Sequence, residues 1–189
     1  MKAHWLMLAA AMLAVVPSTT VLADDDDDKD DAQRGKPVAA EAQVLTLPKG
    51  ADLLPASAIN GDQIGLPKKS LSSQILPTLT LGAPDSEFQI APQKDFYLRA
   101  GQAYRWDIAS NGGLEYKFQA PGFFRNVWMN QIVIDDREIH MAGPPAWLEY
   151  DGQGPITVQF QTIRPGRYDW YVEGLDGEQG MKGTITIVP

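Results

Sequence analysis

The chain has 189 residues, no cysteine, two histidines and a net charge of −8. Without cysteine there is no disulfide framework, thiolate metal site, iron–sulfur cluster or cysteine nucleophile. An exported form would fold on its hydrophobic core alone. Nucleic acid, which is bound through clustered Lys and Arg, is not an expected partner of so acidic a chain.

The opening stretch MKAHWLMLAAAMLAVVPSTTVLA sets one early cation, Lys2, before an apolar run from Trp5 to Val16, and ends in small residues at Ala23. This is the layout of a secretory signal peptide over residues 1–23, with cleavage expected after Ala23. The apolar run is too short for the roughly 20 residues that cross a bilayer, so no stable membrane span is expected after cleavage. The mature chain would keep 15 Lys and Arg against 24 Asp and Glu. Its expected compartment is the bacterial periplasm.

Residues 24–84 read as a leader ahead of a domain at 85–189. All 16 aromatic residues beyond the signal segment lie between Phe88 and Tyr171, and a stretch without them is not expected to build a core of its own. The run DDDDDKDD from Asp24 to Asp31 repels itself and reads as a disordered acidic tail, with loose divalent-cation binding or help in export as the alternatives. From Gln43 to Pro84, short apolar pieces alternate with Pro48, Pro55, Pro67, Pro77 and Pro84. Prolines at this spacing favour extended chain over helix. The segment is either a linker or an arm that adds strands or apolar anchors to another protein.

From Phe88 onward the pattern is that of strands. FYLRAGQAYRWDIAS gives two, broken at Ala100-Gly101, and LEYKFQA follows the turn Asn111-Gly112-Gly113. NQIVIDDREIHM gives two more around Asp135-Asp136. ITVQFQTI alternates, with Ile156, Val158, Phe160 and Ile163 set on one face. After Pro165-Gly166 come a strand from Tyr168 to Val172, a loop from Glu173 to Gly180 and a last strand, MKGTITIV. Seven or eight short strands without an amphipathic helix predict an all-β protein, a Greek-key β-sandwich.

The order FYLRAGQAYRWDI, NGGLEYKFQAPGFF, TIRPGRYDWYVEG and GMKGTITIV resembles the cupredoxin family, the plastocyanin- and azurin-like proteins, over roughly residues 88–188. The resemblance implies a cupredoxin-like sandwich and places four copper-ligand positions. The family's Cys falls on Val172, its loop His on Leu175, its first His on Tyr116 and its axial Met on Met181. Only Met181 is a ligand type. A type 1 copper centre needs a thiolate and two imidazoles, so copper-site loss is the expectation, with Val172 and Leu175 filling the space as packing.

A copper-handling alternative uses His140, Met141 and Met129, because thioethers with an imidazole suit Cu(I). Adjacent strand residues point to opposite faces, which works against His140 and Met141 sharing an ion. The acidic groups Asp135, Asp136 and Glu138, or Glu173, Asp176 and Glu178, lack calcium-loop spacing and read as solvated turns; the second could dock a basic partner. No nucleophile elbow, zinc-protease or phosphate-loop motif is present, and no enzyme activity is expected. In APGFFRNVWMNQIVI, Phe123, Phe124, Arg125 and Trp128, with Trp147 further on, are either core closure or a partner-binding surface. The function expected is that of an exported, non-catalytic binding or accessory protein of a periplasmic or respiratory assembly.

Overall fold

The computed structural model describes residues 45–189; the expected signal peptide, its expected cleavage site and the acidic run lie outside the described residues. The chain begins with two 3-10 turns, Ala51–Leu53 and Ala56–Ala58, and continues through twelve strands. These are β1 (Gln74–Ile75), β2 (Leu79–Ala83), β3 (Ser86–Ala91), β4 (Asp95–Arg99), β5 (Ala103–Ser110) and β6 (Tyr116–Gln119) in the first half. A four-residue helix, α1 (Pro121–Phe124), leads to β7 (Val127–Ile134), β8 (Arg137–His140), β9 (Leu148–Tyr150), β10 (Gly154–Thr162), β11 (Gly166–Val172) and β12 (Lys182–Val188).

The strands form two sheets. The first has the order β3-β2-β5-β10-β7-β8, with β1 also on β5, and the second has the order β4-β12-β11-β6-β9. Each mixes the two pairings: β1 and β2 run parallel to β5, and β4 runs parallel to β12, while the other pairs are antiparallel. Parallel partners need long connections, and here the chain supplies them by crossing between sheets.

Alternation decides which face each strand buries. On β5, Tyr104, Trp106 and Ile108 are buried, and on β10, Ile156, Val158 and Phe160 face them. The second sheet answers with Phe96, Leu98, Phe118, Trp170, Ile185 and Ile187. Between the sheets Phe96 meets Trp106 at 4.8 Å and Phe118 meets Trp106 edge to face at 6.0 Å; within the second sheet Phe118 stacks on Trp170 at 5.5 Å, and Phe123 of α1 meets Phe160 edge to face at 5.1 Å. Such contacts add to the area these rings bury.

Two expectations need correction. Ile163 was set on the buried face of β10, but it is 57% exposed. The strand ends at Thr162, whose hydroxyl turns inward and donates to the Arg99 carbonyl at 2.6 Å. The boundary at residue 85 is also too late. β1 and β2 lie end to end along β5, broken at Leu76-Pro77-Thr78, so the sheet begins at Gln74. The break occurs where proline has no amide to donate, and the buried Trp106 indole donates to the Pro77 carbonyl at 3.1 Å.

Residues 45–73 also pack on the domain. Ile59, Ile64 and Leu66 form a second small cluster with Val188. Arg99 ties this segment to the chain end: Nη2 donates to Asp62 at 2.7 Å and to the Leu66 carbonyl at 3.2 Å, Nε to the Pro67 carbonyl at 3.0 Å, and Nη1 to the Pro189 carbonyl at 3.4 Å. Arg167 Nη2 donates to the Ala51 carbonyl. Ile59, Ile64 and Leu66 are therefore anchors for this chain's own sheets, whereas Leu53 and Leu71 stay exposed.

Candidate functional site

At one end of the sandwich, β11 finishes at Val172 and the chain turns through Glu173–Gly180 before β12. Positive φ at Gly174 and Gly180 (78° and 65°) permits the turn. Three backbone bonds of 2.9 Å close it: Val172 N–H to Met181, Leu175 N–H to Val172 and Met181 N–H to Leu175. Val172 and Met181 are fully buried, and Leu175 is half-buried against the main core.

Tyr116 enters the same end from β6. It sits two residues before Phe118, which pairs with Val172, so both rings point inward. The Tyr116 hydroxyl donates to the Glu87 carbonyl at 2.8 Å and lies 3.1 Å from the Glu87 carboxylate. Burial first, and Glu87 second, push its phenol up to about 12. A Cβ at Gly82 or Gly112 would fall on this hydroxyl, so the two glycines make its seat.

The register thus gathers Tyr116, Val172, Leu175 and Met181 at one end. Their donors are one thioether and one phenol already committed to Glu87; the other two side chains are aliphatic. This set does not fit a type 1 copper ion, which takes a thiolate and two imidazoles.

Among the described residues, His140, Met141 and Met129 are not brought to one point. His140 pairs with Gln131 on the outward side of the β7–β8 hairpin and is exposed, beside Glu138 at 3.6 Å. Met129 points the other way into the core, and Met141 packs against that core from the chain end after β8. The two-residue side-chain period of a strand separates them.

The expected aromatic surface also divides. Phe123 and Phe124 are fully buried, because α1 closes the core between β6 and β7 instead of standing out from it. Arg125 and Trp128 are exposed, Trp128 at 62% on the outer face of the first sheet. Trp147, 47% exposed, belongs to the second sheet at β9. Its indole donates to Glu149 at 2.7 Å, and Lys117 Nζ lies 5.6 Å above its ring. The two tryptophans are therefore separate features.

Of the acidic groups, Asp135 and Asp136 are the hairpin turn itself, at φ 49° and 60°. Glu138 accepts from Gln131, and Glu173 from Gln119. A group absent from the sequence reading, Glu115, Glu149 and Asp151, converges within 4.8 Å on the exposed end of β6 and β9. Glu149 is held below the usual carboxylate range by the Trp147 indole, and Glu115 is raised by its hydrogen bond with Glu149. Only the pairing of β6 with β9 joins Glu115 to residues more than thirty positions away.

A two-sheet β-sandwich in which β11 leads into a loop closed at Met181 is the arrangement that the motif order implies. The fold is cupredoxin-like.

No family model and no curated protein matches the sequence. Solved structures of similar fold include a multicopper oxidase from Campylobacter jejuni, at 8% identity over 67% of this chain and 32% of that one, with a TM-score of 0.45. Auracyanin B is 20% identical over 62% of this chain and 91% of its own, with a TM-score of 0.36. A copper nitrite reductase from Nitrosomonas europaea is 8% identical over 49% and 32%, with a TM-score of 0.39. The chain spans about a third of the Campylobacter oxidase. These likenesses concern strand arrangement alone, and the topology above does not rest on them.

Proposed function

We propose that this is an exported protein of the periplasm that holds no type 1 copper and serves a periplasmic or respiratory assembly as a non-catalytic binding subunit. The observation that carries the reading is the filling of the family's ligand positions. Tyr116, Val172 and Met181 are core residues, the loop over them is closed by its own backbone, and the chain contains no cysteine. A scaffold without its redox centre acts through surfaces.

The surface favoured for a protein partner is the acidic end at Glu115, Glu149 and Glu173, with Trp147 beside it, because an aromatic anchor next to concentrated charge suits a basic partner. Among the described residues, no helix is long and apolar enough to cross a membrane.

The test is metal analysis of protein purified natively from periplasm, then Cu(I) and Cu(II) titration and co-purification. Expected are no stoichiometric copper, no thiolate-to-copper absorption, and a partner that is lost on Trp147→Ala or at high salt. Copper near one ion per chain would refute the reading.

A further inference from the structure

Charge on this sandwich is segregated by end. At the end carrying the closed loop, the segments 83–87, 111–116, 134–138, 149–153 and 173–180 hold eleven Asp and Glu and a single base, Arg137, with Lys94, Lys117 and Lys182 on the strand ends beside them. At the opposite end, the segments 67–72, 99–103, 120–128 and 161–167 hold six Lys and Arg and no acid. Two of those six are committed: Arg99 to Asp62 and the carbonyls around it, and Arg167 to the Ala51 carbonyl. The other four, Lys68, Lys69, Arg125 and Arg164, are exposed.

The basic segments converge. Gln161 on β10 pairs with Trp128 on one side and Ala103 on the other, and donates to the Gly101 carbonyl at 3.4 Å. Lys69 Nζ comes within 3.3 Å of where a Cβ on Gly101 would stand, and the Ser70 amide donates to Gln102 at 2.8 Å. Arg164 N–H donates to the Asn126 carbonyl at 3.3 Å, which brings Arg164 beside Arg125.

Set among these cations are exposed apolar side chains. Trp128 is 62% exposed, Ile163 is 57%, and Leu71, two residues beyond Lys69, is 96%. Ile163 lies two residues beyond Gln161, the register partner of Trp128. The surface is the outer face and rim of a sheet.

Protruding Trp, Ile and Leu ringed by Lys and Arg match an anionic lipid surface, where the apolar groups enter the headgroup boundary and the cations meet the phosphates. The eleven acids at the far end would turn the molecule the same way, because a negative surface repels them. We infer that the Trp128 end, with Lys68, Lys69, Arg125 and Arg164, docks the protein reversibly on an anionic membrane surface. The acidic end then faces away from the bilayer. This inference is independent of whether the family's copper position is filled.

The mature protein would be sedimented with phosphatidylcholine vesicles with and without phosphatidylglycerol. Binding is expected only with the anionic lipid and should fall with salt. Lys68→Ala/Lys69→Ala should weaken it by roughly tenfold or more, Trp128→Ala should weaken it at unchanged charge, and Lys94→Ala/Lys182→Ala at the other end should leave it unchanged. Far-ultraviolet circular dichroism of each variant keeps folding separate from docking. Absence of binding to anionic vesicles at low salt would overturn the inference, as would binding indifferent to residues 68, 69 and 128. A photo-crosslinker at position 128 that captured an acidic protein in cells, and no lipid, would equally replace the membrane with a protein.

Discussion

The Tyr116 hydroxyl occupies space that only glycine leaves free at positions 82 and 112, and it is held there by Glu87. The seat is specific enough to test by a thermodynamic cycle. Tyr116→Phe removes one hydrogen bond and should cost about 1 kcal/mol, plus the unmet acceptor on Glu87. Gly112→Ala in the native background drives a methyl group into the hydroxyl and should cost a few kcal/mol. In the Tyr116→Phe background the same substitution should cost less, because its nearest obstacle is gone. Equal costs in both backgrounds, by urea denaturation, would mean that the glycines are needed for another reason.

Arg99 makes a sharper case at the same scale. It is buried, and its Nε and Nη2 donors are spent on a segment more than thirty residues away in sequence. Arg99→Met keeps the stem but strands Asp62 and two carbonyls, so a loss of roughly 3 kcal/mol is expected. Limited proteolysis should then cut between residues 45 and 73 well before the sandwich unfolds. Protection equal to that of the native protein would show that the cluster at Ile59, Ile64 and Val188 suffices without the arginine.

Among the elements, the β7–β8 hairpin was legible because its turn chemistry is local. Asp135-Asp136 stands between alternating runs, and both residues take positive φ, the two-residue turn that suits strand twist. Aspartate tolerates that region at a cost that glycine avoids, so Asp136→Gly should stabilise the protein by about 0.5–1 kcal/mol, read as a rise in urea midpoint at constant slope. No change would mean that the Asp136 side chain compensates locally. β1 and β2 were not legible for the opposite reason. Their partner, β5, lies about thirty residues downstream and pairs in parallel, and the proline that reads as a linker signal marks a break bridged by Trp106. The candidate site divides in the same way. The residues at its four positions could be read from motif spacing, but the burial of Phe123 and Phe124 could not, since an aromatic pair beside a Pro-Gly turn looks alike whether it plugs a core or caps one.

The whole molecule should respond to alkali through its buried phenols. Tyr104 lies in the main cluster with its hydroxyl accepting from the Arg99 amide at 2.9 Å, and burial pushes its phenol up to about 12. Tyr116 is raised to the same value, and burial raises Tyr150 as well, where the hydroxyl donates to the Ile108 carbonyl at 2.7 Å. In the unfolded chain these groups release their protons near pH 10. Between about pH 10 and 12 the unfolded state therefore holds fewer protons than the folded one, and stability must fall as pH rises through that window. The stabilisation is fully present below pH 10. These phenols lie in both sheets, so their ionisation cannot be confined to a loop and should accompany cooperative unfolding. Tyrosinate absorbance followed together with circular dichroism should show the ionisation of Tyr104, Tyr116 and Tyr150 rising as the β-signal is lost. Tyr104, Tyr116 and Tyr150 titrating near pH 10 with the β-signal intact would mean that water reaches these rings and that the sandwich is far looser than its packing indicates.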